Sequence, residues 1–145
     1  MSVPQSRAEW HRLAAELRYS TGHFIHGEHV ATGARRFTVV NPATTETLCE
    51  VAAGDAKNID AAVASGRRAF TDGTWRRMAP RDRLEVLNRL AALIEKHTAR
   101  FTLLDSLCMG KPVRDMVAVD VPQSALTFRY FAELSDKVEG TVTAT

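Results

Sequence analysis

Cysteine is scarce in this sequence, and long apolar runs are absent. The chain contains two cysteines, Cys49 and Cys108, which lie far apart. Disulfide frameworks and zinc sites need several closely spaced ligand residues, so the sequence predicts neither. No stretch approaches the roughly 20 apolar residues that cross a bilayer, and the first residues lack the layout of a secretory signal. We therefore expect a cytoplasmic protein without a membrane partner.

A strong charge of either sign is missing as well. The 19 basic and 17 acidic side chains leave a net charge of +2, which is too small to indicate a polyanionic partner. The densest basic run contains Arg76, Arg77, Arg81 and Arg83, without the interleaved aromatic residues that stack on bases. We interpret this run as the solvated start of a helix, and we expect no nucleic-acid partner.

Glycine patterns that bind phosphate groups are also lacking. A P-loop needs a glycine five residues before the glycine of its Gly-Lys pair, but Asp105 holds that place before Gly110 and Lys111. Pro112 follows the lysine where Ser or Thr is required, and no G-x-G-x-x-G follows any expected strand. The spacing therefore identifies no cofactor-binding residue.

Histidine and cysteine are the remaining candidates for chemistry. His23, His26 and His29 recur at every third residue, but on a strand His26 would point away from the other two. We interpret them as exposed hairpin histidines. Cys49 lies in an expected strand and Cys108 on an apolar helical stripe, so both are predicted to be packed thiols. Composition and spacing alone thus predict no catalytic residue and no metal ligand.

Residues 1–22 are predicted to form an amphipathic helix of their own. Ser6 and Glu9 make a capping box, in which each side chain accepts a hydrogen bond from the backbone of the other residue. Apolar residues then recur at helical spacing. We expect this helix to end near Gly22.

Strand patterns follow the first helix. One hairpin is predicted around Gly27, which suits a tight two-residue turn. A second hairpin is predicted to pair residues 36–40 with residues 47–51 through a turn at Asn41 and Pro42.

The second half of the chain reads as helical. Asp55 or Asn58 can cap a helix that Gly73 closes. Pro80 suits the first turn of the next helix. Thr98 is expected to cap a third one, with Cys108 facing inward.

A sharp junction follows the third helix. Gly110 suits a helix end with positive φ, and Pro112 suits the start of a new segment. We expect the last helix to restart with Asp120 as N-cap and to end at Gly140. Residues 141–145 then form an edge strand that lacks a pairing partner.

These segments, in this order, resemble the amino-terminal part of the aldehyde dehydrogenase superfamily. The run from Asp120 to Glu133 looks most like the branch that acts on γ-glutamyl-γ-aminobutyraldehyde and related amino-aldehydes. Each motif alone is weak, whereas their order and spacing together are specific. The matching motifs are Phe24-Ile25-x-Gly27, Asn41-Pro42-Ala43-Thr44, Ile59-Asp60-Ala61-Ala62-Val63 with Ala69-Phe70, Gly73-x-Trp75, Arg83 with Leu87 and Ala91, Gly110-Lys111-Pro112, and Arg129-Tyr130-Phe131-Ala132 with Asp136-Lys137.

The resemblance implies an incomplete α/β fold of the aldehyde dehydrogenase type, with β-hairpins followed by a helical layer and one terminal strand. It assigns residues 23–139 to the amino-terminal part of the dinucleotide-binding domain and residues 140–145 to the start of the oligomerisation strand. The implied activity is NAD- or NADP-dependent oxidation of a small aldehyde to a carboxylic acid by a homo-oligomer. The family's nucleophilic cysteine, general-base glutamate and cofactor-binding residues lie further along than this sequence extends. We therefore expect no cofactor on this chain alone.

Two positions can be carried over as site residues. Val119 and Gln123 correspond to one wall of the family's substrate entrance. Cys108 stands where relatives usually carry an aspartate that some of them use near a structural cation. The resemblance therefore transfers the entrance but not the cation site.

Three interpretations remain open from the sequence. The chain is an amino-terminal segment of an aldehyde dehydrogenase that is inactive alone, a non-catalytic interaction module, or one half of a split enzyme. A helix band with Leu126, Phe128, Tyr130 and Leu134 is expected to expose apolar area in the isolated chain.

Overall fold

The computed structural model describes residues 3–30, 35–141 and 143 of the chain. It has a short amino-terminal helix, two antiparallel hairpins and a layer of helices, in that order. The elements are α1 (Arg7–Glu16), β1 (His23–Ile25), β2 (Glu28–Val30), β3 (Arg36–Val40), β4 (Thr47–Ala52), α2 (Ala56–Asp72), α3 (Thr74–Arg77), α4 (Pro80–Lys96), α5 (Thr98–Met109), α6 (Val113–Asp115), a π-helical turn (Met116–Asp120) and α7 (Val121–Glu133). No helix in the described ranges is both long and apolar enough to span a membrane.

The predicted capping box starts α1. Ser6 Oγ accepts a hydrogen bond from Glu9 N–H at 3.3 Å, and Glu9 Oε2 accepts one from Ser6 N–H at 3.1 Å. The predicted end near Gly22 is wrong, because the helix stops at Glu16 and Leu17 is extended with ψ of 131°. The next carbonyl, that of Arg18, accepts a hydrogen bond from the side chain of Arg100 at 2.9 Å, so the chain leaves α1 along α5.

Both predicted hairpins are present. His26 and Gly27 form the first turn with φ of 58° and 80°, the pattern of a type I′ turn. In the second hairpin, Arg36 pairs with Ala52 at the open end. Asn41 Oδ1 accepts a hydrogen bond from Ala43 N–H at 2.9 Å, which shapes the turn as predicted. Each sheet within the described residues has two strands.

The two candidates for the cap of α2, Asp55 and Asn58, both take part in it. Asp55 is the N-cap, and the Asp55 and Asn58 side chains each accept a 3.0 Å hydrogen bond from the other residue's backbone. Gly73 closes the helix in the left-handed region with φ of 66°, as predicted. The apolar stripe of α2 lies open to solvent, and Phe70 is 70% exposed.

The core lies between α4, α5 and α7. Alanines dominate it on α4 and α7, which allows these two helices to pack closely along each other. The buried apolar residues of this helical layer are Ala91, Ala99, Leu103, Met116, Val121, Ala125 and Ala132.

Two predictions about α5 are wrong. His97 rather than Thr98 precedes the helix, and the Thr98 hydroxyl donates to the carbonyl of Glu95 at 2.6 Å instead of capping. Cys108 is exposed rather than directed into the core. The glycine after the helix is correctly predicted, because Gly110 has φ of 75°.

The predicted restart at Asp120 is wrong as well. Asp120 is helical, with φ of −69° and ψ of −45°, and no side-chain hydrogen bond caps α7 there. The chain instead passes from α6 into α7 through the π-turn (Met116–Asp120). α7 ends at Glu133, earlier than the predicted Gly140.

The predicted terminal strand, residues 141–145, lies largely outside the described residues. Val142, Ala144 and Thr145 belong to the part that the structure leaves out. The strand and the boundaries 1–22, 23–139 and 140–145 therefore stay predictions.

Candidate substrate entrance

Val119 and Gln123, the two residues assigned to the substrate entrance, lie one turn apart where the π-turn meets α7. They line a common groove of about 450 Å³ between α4 and α7, which we name the entrance groove. Val119 is 58% exposed, so its side chain is available to a ligand. The lining residues are Glu95, Ala118, Val119, Pro122, Gln123, Leu126 and Arg129.

An ion pair closes one side of the entrance groove. Arg129 Nη2 on α7 donates to Glu95 Oε2 on α4 at 2.7 Å. Both side chains are partly exposed, so the pair contributes no more than about 1 kcal/mol to the contact between α4 and α7. Glu95 was not identified from the sequence, because the partners are 34 positions apart and no spacing rule connects them.

The entrance groove offers binding rather than bond-breaking chemistry. Val119, Pro122 and Leu126 give it an apolar wall, and Gln123 adds an amide that can donate and accept hydrogen bonds. Among the described lining residues, the single carboxylate is that of Glu95, which is engaged by Arg129. The groove can therefore hold and orient a small molecule with an aliphatic part and a polar group.

The cysteines lie away from this groove. Burial raises the pKa of the Cys108 thiol, and the neighbouring Cys49 and Asp105 raise that pKa further. A raised pKa favours the neutral thiol, whereas a nucleophile needs the thiolate. Cys108 is thus more exposed than predicted, but its surroundings do not activate it.

Metal and dinucleotide binding have no counterpart in the geometry of the described part of the chain. There, no group of three or more His, Cys, Asp and Glu side chains is placed to hold a metal ion. The strands form two antiparallel pairs, whereas a dinucleotide binds at the carboxyl ends of a parallel sheet. The glycines with positive φ, Gly27, Gly73 and Gly110, sit in a hairpin turn and at helix ends. None of these glycines forms a phosphate-binding loop, and none of them is assigned to NAD(P).

A second ion pair, next to the entrance groove, was missed by the sequence analysis. Lys111 Nζ lies 2.6 Å from each carboxylate oxygen of Asp120. From the sequence, Asp120 is predicted as a helix cap, and Lys111 is named only as part of the Gly110-Lys111-Pro112 motif. The sequence contains one indication of this ion pair, because a basic and an acidic residue flank the predicted junction.

A second groove, of about 310 Å³, lies between α1 and the start of α5. Leu13, Leu17 and Leu103 make it mostly apolar, and it contains neither Val119 nor Gln123. Its presence means that α1 is not closely packed on the helical layer.

Comparison with known proteins identifies the kind of fold to which this geometry belongs. The model of the aldehyde dehydrogenase family matches residues 29–145. An aminoacetaldehyde dehydrogenase of Pseudomonas aeruginosa is 45% identical over 134 residues, which cover 92% of this chain and 27% of that protein. The NADP/NAD-dependent aldehyde dehydrogenase PuuC of Escherichia coli is 37% identical, over 95% of this chain and 28% of its own length.

Solved structures agree with these relatives. An indole-3-acetaldehyde dehydrogenase in complex with NAD+ superposes with a TM-score of 0.91 at 36% identity, over 98% of this chain and 29% of that chain. A γ-glutamyl-γ-aminobutyraldehyde dehydrogenase from Burkholderia cenocepacia superposes with a TM-score of 0.89 at 41% identity, over 95% and 28% of the two chains.

The chain belongs to the aldehyde dehydrogenase family. Its fold is the α/β aldehyde dehydrogenase type in incomplete form, with hairpins and a helical layer, as predicted. The chain spans 27–28% of the length of the two curated relatives named above. It corresponds to their amino-terminal portion, which was also predicted.

Proposed function

We propose that this chain forms the amino-terminal segment of an NAD(P)-dependent aldehyde dehydrogenase that oxidises a small aldehyde to a carboxylic acid. The main support is the superposition of 98% of the chain on 29% of an indole-3-acetaldehyde dehydrogenase, with a TM-score of 0.91. In this proposal the chain supplies a wall of the substrate entrance through Val119 and Gln123. The nucleophile, the general base and the cofactor site belong to parts of the enzyme outside this sequence, and the chain alone is inactive.

The proposed substrate is an aldehyde that also carries an amino or amide group. Two similar proteins are named for such aldehydes, the aminoacetaldehyde dehydrogenase and the γ-glutamyl-γ-aminobutyraldehyde dehydrogenase. The entrance groove has matching chemistry, because Gln123 provides a hydrogen-bonding amide beside the apolar Val119 and Leu126. The enzyme accepts NAD+ or NADP+ in this proposal.

The exposed apolar surface supports the view that further protein covers this chain in its active form. Ile59, Val63 and Phe70 form one stripe along α2, and all three are exposed. Leu126 and Tyr130 are exposed on α7, as predicted, while Phe128 and Leu134 of the same band are half-buried. Apolar area of this extent is unusual on an isolated soluble protein.

The same surface favours a second candidate, a split enzyme in which a separate polypeptide provides the covering residues. An interaction module without catalysis is the third possibility, and it differs from the other two in requiring no aldehyde oxidation at all. The cytoplasmic location and the homo-oligomer inferred from the sequence stay predictions under each of them.

The test compares two forms of the protein. The natural product of the gene, purified from its source, and residues 1–145 alone are each assayed for NADH and NADPH formation with aminoaldehydes. We expect turnover by the natural product and none by residues 1–145. Turnover by residues 1–145 alone would contradict the proposal, and so would a natural product that oxidises no aldehyde.

A substitution at Val119 tests whether this residue lines the substrate entrance. In the natural product, Val119→Trp narrows the entrance groove and should raise the KM for the aldehyde by about tenfold, since a misfit in an apolar pocket costs about 1–3 kcal/mol. Lys57→Trp, on the exposed polar side of α2, is the matched control. An equal rise in KM for both variants would argue against Val119 as a lining residue.

A further inference from the structure

We propose that Lys111 and Asp120 are a positioning pair that holds the π-turn, so that Val119 and Gln123 face the entrance groove. Neither Lys111 nor Asp120 lines the entrance groove, so the pair does not contact the ligand proposed for it. The role of the pair in substrate binding rests on the proposed function, whereas its effect on the π-turn can be measured without an activity assay.

The π-turn is required by the burial pattern around it. Met116 is 2% exposed and Val121 is 4% exposed, although Val121 lies five positions after Met116 along one helical path. At about 100° per residue, a regular α-helix would place these two side chains about 140° apart. The Val121 N–H instead donates to the carbonyl of Met116, which is the i→i+5 bond of a π-helix.

The same turn determines which residues face outward. With Met116 and Val121 both directed into the core, Ala118 and Val119 between them are exposed. Gln123, one turn after Val119, shares its face. A regular α-helix through this segment would rotate either the core residues or the groove residues out of place.

One backbone hydrogen-bond donor is missing just after this turn. Pro122, the second residue after the turn, has no N–H, so it cannot donate the i→i−4 bond that the carbonyl of Ala118 would otherwise receive. Neither the π-turn nor α7 has a side-chain cap at its start. A side-chain contact at this turn would therefore add to the hold that the burial of Met116 and Val121 already provides.

The Lys111–Asp120 pair provides that contact. Its side chains are 41% and 35% exposed, and the ammonium group approaches both carboxylate oxygens at 2.6 Å. The pair connects Lys111, two residues before α6, to the last residue of the π-turn, so it spans the whole segment. Of the two oxygens, Oδ1 accepts the hydrogen bond from Lys111, and a short charge-assisted hydrogen bond of this kind is stronger than a neutral one.

The backbone that leads into Lys111 is held in place by its contact with the second hairpin. Gly110 has φ of 75°, which favours glycine, and an added Cβ would come within 3.1 Å of the Pro42 ring. The backbone before Lys111 is thereby seated against the turn of the second hairpin. The neighbouring pair of Arg114 and Asp115 has no such support, because the Arg114 side chain is 88% exposed.

The test uses hydrogen exchange of the natural product of the gene, followed by mass spectrometry of the segment 112–125. Lys111→Met and Asp120→Asn should each raise the exchange of the amides of the π-turn about fivefold, the effect of losing a half-exposed ion pair on local opening. The charge-swapped variant, Lys111→Asp with Asp120→Lys, should return the exchange towards the original rate. Arg114→Met removes the exposed pair in the same segment and should leave the exchange unchanged.

Two results would overturn the proposal. One is unchanged exchange in the π-turn after either substitution, and the other is an equal increase in α4 and α7, which would indicate a general loss of stability. If Lys111→Met does not fold, the unmodified chain is measured in increasing NaCl, which screens the pair and should raise exchange in the π-turn alone. Salt-independent exchange there would equally overturn it.

A kinetic readout separates this proposal from the proposed function. In the natural product, Asp120→Asn should raise the KM for the aldehyde about threefold and change kcat by less than about twofold, since uniform binding is lost. Raised exchange with an unchanged KM would overturn the positioning role. A natural product without dehydrogenase activity would remove the proposed function, while the exchange measurement would still decide whether the pair holds the turn.

Discussion

Two groups of helices in this molecule are stabilised in different ways. α1 and α2, which we name the capped helices, each begin with a complete capping box. Over their described lengths they contain no buried residue. α4, α5 and α7, the buried helices, provide nearly all of the core and, among the described residues, start without any side-chain cap.

The difference shows which information is local and which is not. A capping box fixes where a helix begins, because it satisfies N–H groups of the first turn with side chains only three residues away. Burial depends instead on residues far along the chain. The start of each capped helix is therefore determined by its own sequence, whereas the position of each buried helix is determined by its packing against the others.

The largest expected effect concerns the buried helices. Ala125 on α7 is fully buried, so Ala125→Leu should lower the free energy of unfolding by about 1–3 kcal/mol through overpacking. The matched change on a capped helix, Ala64→Leu, lies at an exposed position of α2 and should be nearly neutral. Urea unfolding followed by circular dichroism measures both. Equal losses would mean that α2 is packed as closely as α7.

The second effect is at the junction that leads into the last helix. Gly110→Ala should cost about 1–2 kcal/mol, because φ of 75° is strained for alanine. Its Cβ would also press on the Pro42 ring. Gly66→Ala, in the middle of α2 with nothing within 4 Å of an added Cβ, should instead stabilise the chain by about 0.5–1 kcal/mol. If both variants change the free energy of unfolding in the same direction, the junction is not the conformational constraint described above.

A third, smaller effect tests the capped helices directly. Asp55→Ala removes the N-cap of α2 and should cost that helix about 1 kcal/mol. The loss should appear as faster amide exchange in the first turns of α2, without a change in α4 or α7. Asp60→Ala, within the same helix but away from the cap, serves as control. An exchange increase that extends to α7 would show that the two groups of helices are coupled.

The confirmed and the wrong cap predictions follow the same division between the two groups of helices. Ser6 was predicted as a cap and is one, and of the two candidates Asp55 and Asn58, Asp55 is the N-cap, because the capping signal lies within four residues. Asp120 and Thr98 were predicted as caps on the same grounds and are not. At both sites the chain continues into a helix that the core holds in place, so a cap is not needed.

The entrance groove was accessible to sequence reasoning only in part. Val119 and Gln123 came from family resemblance, and the structure brings them together in one groove. The groove's other wall includes Glu95, which no local pattern connects with α7. The π-turn was also unpredictable from spacing, since it arises from the joint burial of Met116 and Val121, and the sequence does not reveal which apolar residues share a core.

The smallest expected effect is a pH dependence confined to α1. Hydrogen bonds from the backbone N–H groups of Gln5 and then Ser6 lower the pKa of the Glu9 carboxyl in the folded state. A carboxyl with a lowered pKa stabilises the fold above its unfolded pKa, and this stabilisation is lost as the pH falls through the folded value. The first turn of α1 should therefore loosen as the pH falls below the ordinary value of 4.5.

Amide exchange of α1 between neutral and acidic pH, corrected for the intrinsic rate, measures this loosening. Glu9→Gln should remove the pH dependence, because the amide oxygen still accepts both hydrogen bonds but does not titrate. The segment around Ala125 should keep its protection over the same range, since its stability comes from burial. Parallel loosening of both segments would mean that α1 is part of the core's cooperative unit, despite its capping box and its lack of buried residues among those described.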